Sequence, residues 1–280
     1  MGRKKMEESI YFTTNDAIFA SFRNCKEKGS IIKDSQKGYI YKMTTPKKLD
    51  YFDFGVLMAM NTLYLNYENK IIHYEHIKKL ITGNKTARLS DDCKKESTVS
   101  KNVIIKSLQS LNKTSLKIEL EEKKIMDGKL IDIELNEDGF SFNDCPLLLR
   151  LYKDYGKIFG LNLFCINSQI LIYRKGKLAM NPNHDNIGAK VYILANILCG
   201  KEEIDLNHVK DLYGYNKRMA YLNNCLKKYP ANAEKIKKSI YKETKKFNKI
   251  FLNLFMTEMF NHQIISKYEI NKMQIKVHKM

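Results

Sequence analysis

Apolar residues between positions 49 and 135 follow a spacing that predicts three helices and then a two-stranded hairpin. Residues 53–65 are apolar on nearly every helical face, which predicts a mostly buried first helix. Residues 71–73 are typical of one short strand, and residues 74–81 predict a second helix that ends at Gly83. Helix, strand, helix, helix and hairpin is the order of elements in a winged helix, a DNA-binding helix-turn-helix extended by a β-hairpin.

The predicted third helix begins near Ser97 or Thr98 and has one apolar and one polar face. At 3.6 residues per turn, the apolar face consists of Val99, Val103, Ile104, Ser107, Leu108 and Leu111. Two alternating segments follow, residues 116–121 and 131–135, and each is typical of a half-buried strand. Asp127-Gly128 between them is a strong signal for a hairpin turn. We therefore predict that these two strands form the wing.

The polar face of the third helix carries the candidates for contact with DNA bases. Asn and Gln can pair with adenine and Lys with guanine, while an apolar side chain can touch a thymine methyl group. The residues on this face are Thr98, Asn102, Ile105, Lys106 and Gln109, with Ile105 interpreted as exposed. Phosphate contacts are expected from Lys94, Lys95 and Lys101 near the helix start and from Lys123, Lys124 and Lys129 beside the predicted wing turn. The alternative interpretation is that all of these are ordinary solvated side chains.

From Ile187 onward the same order of elements recurs. The pattern predicts an apolar helix over residues 187–198, a second helix capped by Asp205 or Asn207 and stopped by Gly214, an amphipathic stretch over residues 217–228, a long third helix from 232 to about 260, and two closing strands. We interpret this as a second winged helix that repeats the first in architecture and not in residue identity. A plain helical bundle is the alternative.

The predicted fold class is therefore α+β, mainly α, with two winged-helix domains in tandem. The boundaries are an N-terminal arm or small β element over residues 1–46, a first winged-helix domain over 47–140, a linker and mixed segment over 141–186, and a second winged-helix domain over 187–280.

The long helix after Pro230 carries a second candidate surface, here named the lysine stripe: Lys238, Lys242, Lys245 and Lys249. By helical periodicity these four residues lie within about 60° of one another. The apolar residues Ile236, Ile240, Phe247, Phe251 and Leu254 centre on the opposite side. A core-anchored helix lying along DNA phosphates needs this division of faces. An amphipathic membrane-surface helix and a simply solvated lysine face are the alternatives.

Composition favours a polyanionic partner. The 280 residues include 49 Lys and Arg against 31 Asp and Glu, a formal net charge of +18, which points to nucleic acid or an anionic membrane face. Six scattered cysteines lack C-x-x-C spacing and suit a reducing compartment. No signal-peptide pattern occurs, and no apolar run approaches the roughly 20 residues that cross a bilayer. We expect a soluble, cytoplasmic protein without a membrane partner.

Patterns that carry chemistry are absent from the sequence. There is no G-x-x-x-x-G-K-[ST] phosphate loop, so nucleotide hydrolysis is not expected. His73 and His76 have no third His and no acidic cluster beside them, so no metal site is predicted. The pair of His residues used by nicking initiators is also missing, although 17 tyrosines leave candidate nucleophiles. We therefore expect no catalytic residue, no metal and no cofactor.

Three segments together resemble winged-helix replication initiators of plasmids and related mobile elements. They are residues 49–58, residues 77–83, and residues 97–101 with Ser107-Leu108. The resemblance covers residues 49–135 well and 187–277 loosely, and it consists of apolar spacing. It implies two winged helices that bind repeated origin sequences in double-stranded DNA, recruitment of a host helicase, and no catalytic site. In such initiators the first domain often serves in homodimerisation and the second in DNA binding.

The leading hypothesis is a sequence-specific, non-catalytic DNA-binding protein that initiates replication of a plasmid or mobile element. A winged-helix transcriptional regulator is the first alternative, because it needs the same groove contacts. A nicking initiator with a Tyr nucleophile is the second.

Overall fold

The structure is a computed structural model that describes residues 9–23, 29–34, 37–67, 71–82, 100–167 and 184–279. Within these ranges it is a mixed α/β fold with several small antiparallel sheets. The helices are α1 (Asp16–Arg23), α2 (Tyr51–Asn66), α3 (Tyr74–Thr82), α4 (Lys101–Asn112), α5 (Leu147–Phe159), α6 (His184–Leu198), α7 (Leu206–Leu212), α8 (Tyr215–Lys228), α9 (Ala233–Lys245) and α10 (Leu254–Asn261). A 3₁₀ turn (Pro230–Asn232) precedes α9, and a π-helical segment (Lys246–Asn253) joins α9 to α10.

The strands are short and pair into four sheets within the described residues. They are β1 (Ser9–Thr14), β2 (Ser30–Lys33), β3 (Ile40–Thr44), β4 (Ile72–His73), β5 (Ser115–Leu120), β6 (Lys123–Lys129), β7 (Ile133–Leu135), β8 (Gly139–Phe142), β9 (Asn162–Asn167), β10 (Glu203–Asp205), β11 (Ile265–Ile270) and β12 (Gln274–Lys279). The sheet orders are β1-β9, β2-β3-β5-β6, β4-β8-β7 and β10-β12-β11.

Two parts of the chain share one topology. In the first, α2, β4, α3 and α4 are followed, after β5 and β6 of another sheet, by the hairpin β7–β8, and β4 pairs with β8. In the second, α6, β10, α7 and α8 are followed, after the long helix, by the hairpin β11–β12, and β10 pairs with β12. In each sheet the short strand therefore lies beside the last strand of its hairpin. The order of helices and of the short strand recurs as the sequence predicts, but the hairpin of the first part is not the predicted one.

The hairpin predicted around Asp127-Gly128 is wrong. The turn after β5 lies at Glu121 and Glu122, both in the left-handed region at φ 47° and 66°, and Gly128 pairs with Leu116 inside β6. A two-residue turn whose φ values are both positive matches the twist of antiparallel strands, and here two glutamates adopt it instead of the expected Asp-Gly pair. Ile133–Leu135 belongs instead to β7, so the two predicted wing strands lie in different sheets.

The N-terminal residues are integrated with the rest of the fold. β2 and β3 extend the β5–β6 hairpin into a four-stranded sheet, and β1 pairs with β9. Alternation along β3 directs Tyr41 and Met43 into the core, where burial raises the pKa of Tyr41 to about 12. The segment over 141–186, expected to be a linker and mixed segment, contains α5 and β9 in its described part. In the described residues up to 46, the chain forms small β elements and one helix that pack on the rest of the fold.

The predicted buried first helix is confirmed. Every residue of α2 from Tyr51 to Leu63 is buried, which fits a helix that is apolar on nearly every face. Its N-terminus is closed by a capping box: the Asp50 carboxylate accepts from the backbone N–H groups of Phe52 and Asp53, and Asp53 accepts from the backbone N–H of Asp50.

The two parts with shared topology meet where α2 crosses α6. A Cβ placed on Gly55 would lie 3.2 Å from Cγ2 of Val191, and one on Gly188 would lie 3.7 Å from Cβ of Tyr51. The close approach of these two helices therefore depends on glycine at position 55. Rings of α1, α2 and α6 pack around the crossing, and the buried residues of both parts form one continuous core.

The long helix differs from the prediction in its register. All thirteen residues of α9 are described and none of them is buried, so Ile236 and Ile240 are only partly covered. The wider π-helical turn then changes the rotation per residue, and the buried side is formed by Phe247, Phe251 and Phe255. Leu254, which was expected on this side, is only partly buried.

Candidate nucleic-acid interface

The turn between α7 and α8 is the most sharply defined junction of helices in the second part. The Asp205 side chain caps α7 by accepting from the backbone N–H groups of Asn207 and His208 at 2.8 and 3.3 Å. α7 ends at Leu212 with Tyr213 as its C-cap, and Gly214 then adopts the left-handed conformation at φ 80°. Across this turn the Asn216 amide donates to Asp211 Oδ1 at 2.6 Å. A short turn with a left-handed glycine between two helices is typical of a helix-turn-helix.

Aromatic packing fixes the orientation of α8. The ring of Tyr213 lies 5.1 Å from that of Phe247 and 4.6 Å from that of Phe251, and the ring of Tyr215 lies 4.9 Å from that of Phe247. The Tyr215 and Thr244 hydroxyls form a hydrogen bond of 3.1 Å. Burial raises the pKa of Tyr213, in keeping with its position inside this cluster. The two tyrosines that flank Gly214 therefore attach the turn to the π-helical segment.

The outward side of α8 is basic and aromatic. Lys217 and Arg218 are exposed in its first turn, and the Tyr221 side chain is 58% exposed. The Arg218 guanidinium lies over the Tyr221 ring, 5.4 Å from its centroid, within the range of a cation–π contact. The sequence pattern predicts this helix only as an amphipathic stretch. The signal that identifies it is Gly214 followed three residues later by a basic pair, Lys217-Arg218.

In the first part, α4 presents much of the polar face expected from the sequence. Ser100 caps the helix by accepting from the backbone N–H of Val103, so the helix begins at Lys101, later than predicted. Asn102, Lys106 and Gln109 are exposed. The expectation that Ile105 is exposed is wrong, because it is half-buried and packs against the core. Lys101 is partly buried, with its ammonium 5.9 Å from the Tyr74 ring centroid. Predicted contacts that lie outside the described residues are Lys94, Lys95 and Thr98.

The inner side of α4 is tied to α2 by a buried carboxylate. Ser107 Oγ donates to Asp53 Oδ1 at 2.5 Å, and Lys47 Nζ lies 3.5 Å from Asp53 Oδ2. Asp53 is 2% exposed, and burial, with a smaller effect of Asp50, raises its pKa. The hydrogen bond joins the capping box of α2 to the helix that carries the candidate base contacts.

The three lysines predicted beside the wing turn lie elsewhere in the fold. Lys123, Lys124 and Lys129 are exposed on β6, an edge strand of the four-stranded sheet, because the actual turn precedes Lys123. Two of them face acidic partners: Lys124 lies 3.8 Å from Asp127, and Lys129 lies 3.2 Å from Asp132. These three lysines therefore do not belong to the β7–β8 hairpin. The structure does not bring them together with α4.

All four residues of the lysine stripe are exposed. Three of them lie on α9, which runs alongside α8, and Lys249 lies in the π-helical segment. The segment from Tyr215 to Lys249 contains eleven Lys and Arg residues and two Glu residues. The stripe and α8 thus belong to one strongly basic stretch of the chain whose helices are neighbours in the structure.

The described residues contain no cluster of three His, Cys, Asp or Glu side chains that could hold a metal ion. His73 and His76 stack with their ring centroids 6.4 Å apart. Among the helices in the described ranges, none has the length and apolar character needed to cross a membrane.

Comparisons with known proteins give one weak structural similarity. No model of a protein family matches the chain, and no curated protein matches it. Among solved structures, a crystal structure of domains 2 and 3 of RctB is similar at a TM-score of 0.37 and 10% sequence identity. The similarity covers 95% of this chain and 90% of that one. At this level it supports no conclusion about fold or function.

Proposed function

We propose that this protein binds double-stranded DNA in a sequence-specific manner through two winged helices, with α8 and α4 as the helices that enter the major groove. The observation that carries the proposal is the α7–α8 junction. It has the left-handed turn of a helix-turn-helix, and the helix after the turn exposes Lys217 and Arg218 at its start. Recognition helices contact base edges mainly through their N-terminal residues.

The charge of the surrounding surface supports the same ligand. The basic region over Tyr215–Lys249 is part of a chain of net charge +18, and Lys or Arg contacts to phosphates supply most non-specific DNA affinity. α4 adds Asn102, Lys106 and Gln109, whose side chains suit base edges. Because α4 is less basic than α8, we assign the larger share of DNA affinity to α8 and the lysine stripe.

We further propose that the biological role is initiation of replication of a plasmid or mobile element, without catalysis by this chain. This rests on the resemblance of residues 49–135 and 187–277 to winged-helix replication initiators. From this resemblance we expect that the protein binds repeated origin sequences, has a host helicase as a partner and forms a homodimer through the first part.

The proposal is tested by a gel shift with duplex DNA that flanks the gene, over a series of salt concentrations. We expect a specific complex whose log affinity falls linearly with log salt. Lys217→Ala should lower affinity for specific and random DNA alike, and Lys157→Ala on α5 is a matched control from a different exposed helix. Absence of binding to any duplex at low salt would contradict the proposal.

The non-catalytic assignment has its own test. Incubation with supercoiled DNA that contains the bound site, in the presence of Mg²⁺, should leave the DNA intact and form no covalent adduct. A protein–DNA adduct mapped to a tyrosine would show that the chain is a nicking enzyme.

A further inference from the structure

The first turn of α8 offers few side chains that are available to read bases. The Tyr215 ring packs on Phe247, and its hydroxyl is bonded to Thr244. The Asn216 amide is bonded to Asp211 across the turn. Lys217 and Arg218 remain, and both are exposed. Of the two, only Arg has the planar fork that pairs with a base edge through two hydrogen bonds.

The contact between Arg218 and Tyr221 leaves that fork available. The guanidinium carbon lies 5.4 Å from the centroid of the Tyr221 ring, which places the charge over the ring. Among the described residues none accepts a hydrogen bond from the five N–H donors of the Arg218 side chain. Among the described residues no carboxylate forms an ion pair with Arg218. Tyr221 is itself 58% exposed, so the pair lies on the surface.

We propose that Arg218 reads a guanine in the major groove through its two edge donors and that Tyr221 is a positioning residue that orders the Arg218 side chain before DNA binds. This rests on the proposed function and names the residue pair that gives α8 its base preference. A flexible Arg loses rotamer entropy when it forms two directed hydrogen bonds, and a ring that already restrains it reduces this loss. Lys217, next to it, is assigned to a phosphate and not to a base.

The experiment begins with the wild-type protein and a pool of random duplexes of about 30 base pairs, roughly three helical turns. The duplex enriched by the wild type is then used as the probe, beside a scrambled duplex of equal length. Affinity for both duplexes is measured for Arg218→Lys, Arg218→Ala, Tyr221→Phe, Tyr221→Ala and Lys217→Ala, and for Arg218→Ala combined with Tyr221→Ala. All three positions are exposed, so the variants should fold, and circular dichroism checks this.

We expect Arg218→Lys to lose about 5- to 140-fold in preference for one G·C pair over its substitutes. Tyr221→Ala should lose about 2- to 5-fold on the enriched duplex and nothing on the scrambled one. Tyr221→Phe, which keeps the ring face, should retain wild-type affinity. In the Arg218→Ala background, Tyr221→Ala should add no further loss. Lys217→Ala should weaken both duplexes equally.

Several outcomes would overturn the inference. An unchanged base preference in Arg218→Lys would show that Arg218 does not contact a guanine. A loss in Tyr221→Phe equal to that in Tyr221→Ala would show that the effect comes from the hydroxyl, which is hydrogen-bonded to the Cys225 side chain, and not from the ring face. An additive double variant would show that the ring acts independently of Arg218. Failure of the proposed function is distinct from all of these, because then the wild type would enrich no duplex from the pool.

Discussion

Ser107 on α4 donates a 2.5 Å hydrogen bond to Asp53, the buried carboxylate that also closes the capping box of α2. Through this bond the helix that carries Asn102, Lys106 and Gln109 is held in place by the most buried helix of the first part. A base-reading helix must be held rigidly, because misplaced donors lose both affinity and discrimination. Asp53 and Ser107 are therefore expected to matter for DNA binding although neither is exposed.

Asp53→Ala should lower the free energy of unfolding by about 1–3 kcal/mol, because it leaves a buried hydroxyl and a cap N–H without their acceptor. Ser107→Ala should cost less, and the double variant should cost less than the sum. Denaturant unfolding of all three proteins gives the coupling between the two residues. Strict additivity would show that the bond contributes nothing to the attachment of α4.

The same pair predicts a dependence of stability on pH. Burial first, and Asp50 second, raise the pKa of Asp53, so the folded protein releases this proton at higher pH than the unfolded chain does. The stabilisation associated with Asp53 is then complete below the ordinary carboxyl pKa and is lost as pH rises through the folded pKa. Asp53→Asn should remove this decline when unfolding is followed across mildly acidic pH. A variant with the wild-type slope would assign the decline to other groups.

The crossing of α2 and α6 predicts that substitutions at two glycines change the stability of the protein in opposite directions. A side chain at Gly55 meets Val191 at 3.2 Å, so Gly55→Leu should cost about 1–3 kcal/mol by overpacking. Gly188→Ala is expected to be neutral or stabilising, because its Cβ finds ordinary contact at 3.7 Å and alanine favours the helix by roughly 0.5–1 kcal/mol. Thermal unfolding measures both. A melting temperature of Gly55→Leu equal to that of the wild type would mean that the two helices can separate without cost.

Replacement of the buried Lys190 on α6 by an apolar residue is expected to stabilise the protein. Burial lowers the pKa of this lysine to about 8, and its ammonium lies 5.9 Å from the Phe255 ring centroid. The unfolded chain binds this proton more tightly, so stability should rise as pH increases from about 8 towards the unfolded lysine value. Lys190→Met should be more stable at neutral pH by on the order of 1–3 kcal/mol and should lack this rise. A less stable variant would show that contacts of the ammonium outweigh its desolvation.

The lysine stripe predicts a change in salt dependence without a change in fold. Replacing Lys238, Lys242, Lys245 and Lys249 by Ala should weaken binding to all duplexes and flatten the log–log salt slope by roughly 0.9 per lost phosphate contact. All four are exposed, so the melting temperature should stay within a few degrees of the wild type. Lys153→Ala with Lys157→Ala on α5 is the control. An unchanged slope would show that the stripe is only solvated.

Buried helices such as α2 and α6 could be predicted because they are long, nearly uninterrupted apolar runs. The exposed positions Asn102, Lys106 and Gln109 followed from the 3.6-residue period of an amphipathic helix. Ile105 did not, because a residue at the edge of the polar face can still reach the core. Sheet pairing was harder, since β5 and β7 each alternate correctly but join different partners. Tertiary structure decides whether the turn forms at Glu121-Glu122 or at Asp127-Gly128.

The candidate site was located only in part. The lysine stripe is visible in the sequence as a charge pattern, but the π-helical segment changes the rotation that places Phe247 and Phe251 against Tyr213. A fixed 3.6-residue period cannot show this change. α8 was overlooked as a reader because its own pattern is weakly apolar and only Leu222 is buried. Its importance lies in the turn at Gly214 and in what packs around it.

The central claim, that α8 enters the major groove, is tested most directly by dimethyl sulfate protection of the enriched duplex in complex with the protein. This reagent methylates guanine N7 in the major groove and adenine N3 in the minor groove, so one experiment reports on both grooves. We predict protection of guanine N7 within the bound site, with one guanine becoming reactive again in the Arg218→Ala complex. A stable complex with unchanged guanine N7 reactivity, or with protection confined to adenine N3, would contradict the account.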